Sequence, residues 1–141
     1  MKVLVLNGPN LNMLGKRPKE HYGVKTLDEI NDLITNAAPE FEFMFYQSNY
    51  EGDLVTKIQE AVLNNYDAIL INPGAYTHTS IAIHDALEMF NGIKLEVHLS
   101  HVDDREAFRR INYVRDVCDE TFSGKLDGSY IDAVMYLKNR K

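Results

Sequence analysis

Apolar and polar positions along this chain follow two periods. Val3-Leu4-Val5-Leu6, within Lys2 to Asn7, and Ala68-Ile69-Leu70-Ile71 are continuous apolar runs. They are too short for most helices and suit strands buried on both faces. Each run stops in turn formers, Asn7-Gly8-Pro9-Asn10-Leu11-Asn12 and Asn72-Pro73-Gly74. Proline cannot donate to a ladder, and glycine permits an abrupt turn. Phe41 to Tyr46 is aromatic-rich and less uniformly apolar, which places it nearer a sheet edge. Lys94 to Leu99 alternates, with Leu95, Val97 and Leu99 on one face and Glu96, His98 and Ser100 on the other. That polar face reads either as a solvated edge or as part of a site. Thr121-Phe122-Ser123 makes a short last strand.

Between the strands the period lengthens. Thr26-Leu27-Asp28-Glu29 fits a capping box, and Leu27, Ile30, Ile34 and Ala37 follow at helical spacing until Pro39. Leu54, Val55, Ile58, Ala61 and Val62 mark a second helix face. Thr77 or Thr79 caps a helix carrying Ile83, Ala86, Leu87 and Phe90. Asp103 to Arg110 reads as a charged helical turn capped by Asp103 or Asp104. Ser129 to Asn139, with Ile131, Val134, Met135 and Lys138 in register, closes the chain as a helix.

This alternation predicts an α/β fold: a flavodoxin-like, doubly wound, five-stranded parallel sheet of order 2-1-3-4-5, flanked by helices, with residues 1–141 as one domain. In such sheets ligands bind beyond the carboxyl ends of the strands. The turn after the second apolar run falls there and holds Asn72, Tyr76, Thr77 and His78. The polar segment from Gly15 to Gly23 is either a surface connection or a lid, since glycines at both ends can absorb the dihedral changes of closing.

Composition narrows the partners. The net charge of -6 argues against nucleic acid or an anionic membrane surface. No apolar run approaches the ~20 residues of a membrane span, and no signal-peptide cleavage pattern follows the first strand. A cytoplasmic location is expected. The single cysteine, Cys118, has no partner for an internal disulfide. The chain lacks GxGxxG and GxxxxGK[ST], so neither a dinucleotide nor a nucleoside triphosphate is indicated. Asn7 and Asn72 stand where a phospho-accepting receiver on this scaffold needs acids. Ser100 with His101, and Ser80 with His84, lie outside any GxSxG turn. His78, His84, His98, His101 and Asp103 lack the spacing of a metal site, and no metal or cofactor is expected.

What remains is a set of polar side chains at strand ends and in loops: Asn10, Asn12, Arg17, Tyr22, Asn72, His78, Glu96, His98, Ser100 and Arg109. It suits acid–base chemistry on a small polar anion, with arginines taking a carboxylate and amides orienting hydroxyls. A tyrosine serves as a base only if its pKa falls from about 10, which a nearby guanidinium achieves by stabilising the phenolate. Arg17 and Tyr22 share one loop.

Six separated segments, in order, carry a resemblance: Leu6-Asn-Gly-Pro-Asn-Leu-Asn-Met-Leu-Gly15; Arg17-Pro with Tyr22-Gly23; Gln47-Ser-Asn-Tyr-Glu-Gly52; Ile71-Asn-Pro-Gly-Ala-Tyr-Thr-His-Thr-Ser80; Glu96-Val-His-Leu-Ser100; and Arg105-Glu-Ala-Phe-Arg109. Through them the chain resembles the type II 3-dehydroquinate dehydratases over nearly its full length. The resemblance implies anti elimination of water from 3-dehydroquinate through an enolate to 3-dehydroshikimate, without cofactor. It implies Tyr22 as the base, Arg17 activating it and closing the lid, and His98 as the acid oriented by Glu96. Asn10 would stabilise the enolate with a water. Asn72, His78, Ser100, Arg109 and the backbone of Leu99 would bind substrate. Asp85, seven residues after His78, points away from the chain's own core; the resemblance implies that it reaches a neighbouring site in a dodecamer built from trimers. The chain departs from the family pattern at His101, Asp103, Asp104, Asn112, Asp119 and Glu120. Two rival classes are a non-catalytic sensor of quinate-like ligands and a flavin carrier on the same scaffold.

Overall fold

A computed structural model describes residues 1–140. Five strands, β1 (Lys2–Asn7), β2 (Glu42–Gln47), β3 (Ala68–Asn72), β4 (Ile93–Val97) and β5 (Glu120–Phe122), form one all-parallel sheet in the order β2-β1-β3-β4-β5. Five helices accompany them: α1 (Lys19–Tyr22), α2 (Leu27–Ala37), α3 (Glu51–Leu63), α4 (Ile81–Glu88) and α5 (Asp127–Lys138). This is the doubly wound, flavodoxin-like arrangement that the alternation of periods predicts.

The continuous apolar runs dictate the centre. Val3 and Val5 of β1 and Leu70 of β3 face α2 and α5, packing on Ile30, Ile34, Tyr130, Ala133 and Leu137. Leu4, Leu6, Ile69 and Ile71 face the other way, onto Leu54 and Ile58 of α3 and Ile83 and Leu87 of α4. A strand with helices on both sides has no polar face to spare, and each fully buried Leu or Ile side chain contributes roughly 1.5–3 kcal/mol.

The capping box of α2 forms as expected. Thr26 Oγ1 accepts from the Glu29 N–H at 3.2 Å, and Glu29 Oε1 accepts from the Thr26 N–H at 3.0 Å. Three local expectations are corrected. α4 is capped by Ser80, whose Oγ accepts from the Ile83 N–H at 2.9 Å, and not by Thr77 or Thr79. Thr77 is already spent in a 3₁₀ turn over Gly74–His78, donating to the Gly74 carbonyl at 2.7 Å. The charged stretch is not one helical turn but two 3₁₀ turns, Val102–Asp104 and Ala107–Arg110, with Arg105 at the bend between them. On α5 the buried stripe is Ser129, Tyr130, Ala133, Val134 and Leu137, while Met135 is exposed. Tyr130 turns inward because its hydroxyl finds Asn7 Oδ1 at 2.5 Å and Asn72 Nδ2 at 2.9 Å.

That last contact ties the ends of β1 and β3 together beneath the loops that follow them. The Gly8 N–H donates to the Asn72 carbonyl at 2.8 Å. A Cβ on Gly8 would collide with the carbonyl of Pro73, so only glycine permits this approach. The two turn-forming segments are thereby fused into one floor.

Candidate active site

Above that floor, at the carboxyl ends of β1, β3 and β4, lies a cavity of about 130 Å³. Asn10, Arg17, Tyr22, Asn72, His78, His98, Leu99, Ser100 and Arg109 all line it, joined by Arg105. Residues from five separate stretches of sequence therefore converge where the sheet topology predicts a ligand.

The polar face of β4 is neither solvated nor at an edge. Glu96 is fully buried and His98 is 4% exposed. His98 Nε2 lies 2.6 Å from Glu96 Oε2, and Glu96 Oε1 accepts from Thr121 Oγ1 at 2.7 Å. Asn112 Nδ2 adds a bond to Oε2 at 2.6 Å. Burial by itself would raise the Glu96 carboxyl, but the bond and charge of His98, followed by the bonds from Thr121 and Asn112, outweigh it and hold the pKa at about 2. Glu96 is therefore ionised and accepts, so Nε2 of His98 carries the proton and Nδ1 is left to the cavity. A buried carboxylate with charge-assisted partners on both oxygens is a rigid mount for an imidazole.

Tyr22 is held differently. It ends the single-turn helix α1 between Gly15 (φ 96°) and Gly23 (φ 72°), whose left-handed backbones bracket the segment. Its ring lies under Arg17, with the guanidinium carbon 3.6 Å from the ring centroid. Its oxygen accepts from Arg105 Nη1 at 2.8 Å. Arg17 lies beside the tyrosine, as their shared loop predicts, but the hydrogen bond to the phenolic oxygen comes from Arg105. Nothing in the local sequence distinguishes Arg105 from its charged neighbours except its place in the matched segment ending at Arg109. The break between the two 3₁₀ turns aims it inward.

The cavity gathers three guanidiniums and no carboxylate. Burial, reinforced by the nearby Arg105 and Arg109 charges and opposed by Tyr22, pulls Arg17 below the usual arginine value. Such crowding is tolerable where an anion binds. His78 is lowered chiefly by burial, and its Nδ1–H donates to the Ile111 carbonyl at 2.6 Å. That leaves a neutral ring with Nε2 free for a substrate hydroxyl. Ser100 Oγ lies 3.5 Å from Arg105 Nη1. Asn10 sits at φ 69° in the left-handed region, a conformation asparagine accepts more readily than most residues and one found often at ligand sites. Asn72 braces the floor through Tyr130 and the Gly74 N–H but keeps one amide hydrogen uncommitted. Asn12 does not line the cavity; its Oδ1 lies 3.5 Å from Gln47 Nε2. Asp85 also lies outside the cavity, on the exposed face of α4 beside His84 and Glu88.

Known proteins resemble this chain along nearly its whole length. The profile of the family described as Dehydroquinase class II matches residues 1–138. A 3-dehydroquinate dehydratase of Bartonella henselae is 48% identical, the match covering 99% of this chain and 95% of that protein. Another from Caldicellulosiruptor bescii is 47% identical over 97% of this chain and 96% of its own. The crystal structure of a type II dehydroquinase from Butyrivibrio crossotus superposes with a TM-score of 0.94 at 45% identity, covering 99% of this chain and 98% of the other. On fold, cavity and full-length similarity together, the chain belongs to the class II dehydroquinases.

Proposed function

We infer that this protein is a 3-dehydroquinate dehydratase, a hydro-lyase that removes water from 3-dehydroquinate to give 3-dehydroshikimate, with residues 1–141 acting as one catalytic domain. The observation that carries the assignment of roles is the convergence, in one cavity, of a tyrosine under two guanidiniums and a histidine backed by an ionised carboxylate. Tyr22, as phenolate, takes the proton from the carbon next to the ketone. Arg105 and Arg17 stabilise that phenolate, one at its oxygen and one at its ring face. The electrons move into the carbonyl as an enolate, and Asn10, with a water, stabilises the oxygen. When the enolate collapses, the β-hydroxyl takes the Nδ1 proton of the His98 imidazolium and leaves as water, and the ring is left neutral with its Nε2–H still on Glu96. The new double bond is conjugated with the ketone.

Arg109 takes the substrate carboxylate, and Asn72, His78, Ser100 and the Leu99 backbone hold its hydroxyls. The chemistry draws on these side chains alone, with no metal or cofactor. The segment from Gly15 to Gly23 closes over the bound anion as a lid. Asp85, exposed on α4, reaches a neighbouring subunit's cavity in a dodecamer of trimers. The enzyme works in the cytoplasm; among the described residues no helix is long and apolar enough to cross a membrane.

Purified protein, pre-treated with a chelator and mixed with 3-dehydroquinate, is the direct test. The absorbance of the conjugated enone rises if the reading is right. Saturable binding with no rise would make the protein a sensor of quinate-like ligands.

A further inference from the structure

The carboxylate behind His98 has a support that the reaction scheme leaves unused. Asn112 Nδ2 donates at 2.6 Å to the same Glu96 oxygen that serves His98. Asn112 is itself locked, since its Oδ1 accepts from the N–H groups of Val114 and Arg115, both at 2.9 Å. Those two bonds determine which end of the amide faces Glu96. Arg115 lies beyond, with Nε 3.5 Å from Glu96 Oε1 and Nη1 3.3 Å from Asp103 Oδ2. Its Nε is buried without an aligned hydrogen-bond partner, so it acts on Glu96 through charge rather than a bond. Neither Asn112 nor Arg115 lines the cavity.

We propose that Asn112, backed by Arg115, is a positioning residue for the acid step: its amide clamps the Glu96 carboxylate so that the His98 ring stays turned with Nδ1 toward the substrate. The inference rests on His98 being the general acid. A carboxylate in hydrogen bonding to one imidazole alone can rotate about its last bond and carry the ring with it. Here Asn112 and His98 share Oε2 while Thr121 holds Oε1, and that rotation would break three bonds at once. The Arg115 guanidinium, 3.5 Å from Oε1, adds its charge at the other oxygen and so helps to hold the carboxylate in place. Asn112 touches neither the substrate cavity nor His98 directly, so its effect falls on the acid step and not on binding.

The charged and titratable groups facing this carboxylate are His98 beyond the end of β4, Asp103 and Arg115 from the following turns, His78 after β3, and Cys118 next to β5. The decisive variant is Asn112→Asp. It keeps an oxygen for both backbone N–H groups but turns a carboxylate oxygen, in place of the donor, toward Glu96. We expect kcat to fall about tenfold near neutral pH with KM within about twofold of wild type. As the pH is lowered, the paired carboxyls take up a shared proton that bridges them again, and kcat returns toward the wild-type value at the same pH. Asn112→Ala should lose a similar amount with no such return, and Arg115→Met about threefold.

Wild-type kcat in Asn112→Asp at every pH would overturn the proposal. So would a loss in KM rather than kcat, or an equal, pH-independent loss in both Asn112 variants. Should Asn112→Ala fail to fold, the pH response of Asn112→Asp decides alone. His98→Asn assayed alongside separates the two levels. Turnover retained there removes the acid assignment itself, whereas turnover lost there with Asn112→Asp unaffected removes only the clamp.

Discussion

The two halves of the proposed elimination are mounted on different frames. His98 stands at the end of a central strand, 4% exposed, on a carboxylate bonded at both oxygens. Tyr22 is half-buried on a helix of one turn, and its polar side-chain partners are Arg105 on its oxygen and Arg17 over its ring. The acid is part of the folded sheet, and the base is carried by a segment with glycine at both ends. The contrast has a physical reason. A buried ion needs all its partners in place from the start. A base on a lid can meet its substrate only as the lid closes and water leaves.

Substitution at either end should expose that contrast. The largest effect is expected from Tyr22→Phe, which removes one oxygen from a partly exposed segment. Turnover should fall by roughly 10²–10⁴ while the melting temperature holds; a large loss of stability would show that the lid is not a separate unit. Arg105→Met comes next. It removes a charge-assisted hydrogen bond of roughly 1.5–3 kcal/mol to the phenolate, so kcat should drop about ten- to a hundredfold. Arg17→Lys, which keeps charge but loses the planar stack, should also turn over poorly. If Arg105→Met has near-wild-type kcat, the phenolate does not depend on that contact.

On the acid side the prediction is about stability as well as rate. Glu96→Gln should cost about 1–3 kcal/mol in a denaturant melt, since it leaves buried donors facing a neutral amide. The pH dependence has a definite sign. Glu96 is depressed from 4.5 to about 2 on folding, so its contribution is complete above pH 4.5 and lost as the pH falls toward 2. The variant should lack that acid drop, and identical curves for both proteins would refute it. The smallest effect is local. Trypsin should cut at Lys16 or Lys19 before it cuts the sheet, and a bound anionic substrate analogue should slow the cut.

Much of this was legible in the residues. The limits of β1 match the apolar run, because a strand covered on both sides tolerates nothing else. β4 was ambiguous, since polar alternation has the same pattern whether it faces water or a site; only burial under Asn112 and Thr121 decides it. On α5 the helical spacing finds Val134 and Ile131, which do meet the core, but it also includes the exposed Met135 and omits Tyr130, because the helix is apolar nearly all round. Tyr130 chose the face through partners on β1 and β3, far away in sequence. Arg105 is marked only by its place in a matched segment and Asn112 only as a departure from the family pattern, and nothing in the sequence marks Arg115. Their roles come from 3₁₀ turns whose bends a periodicity cannot show.

The division of labour between the two frames can be tested in one experiment. 3-Dehydroquinate is incubated in D₂O with His98→Asn and, separately, with Tyr22→Phe, following deuterium entry next to the ketone together with enone formation. The account predicts that His98→Asn exchanges that hydrogen but forms almost no enone, because the base works and the leaving group lacks its proton. Tyr22→Phe should do neither. Exchange in Tyr22→Phe at the wild-type rate, or enone from His98→Asn without hindrance, would contradict it.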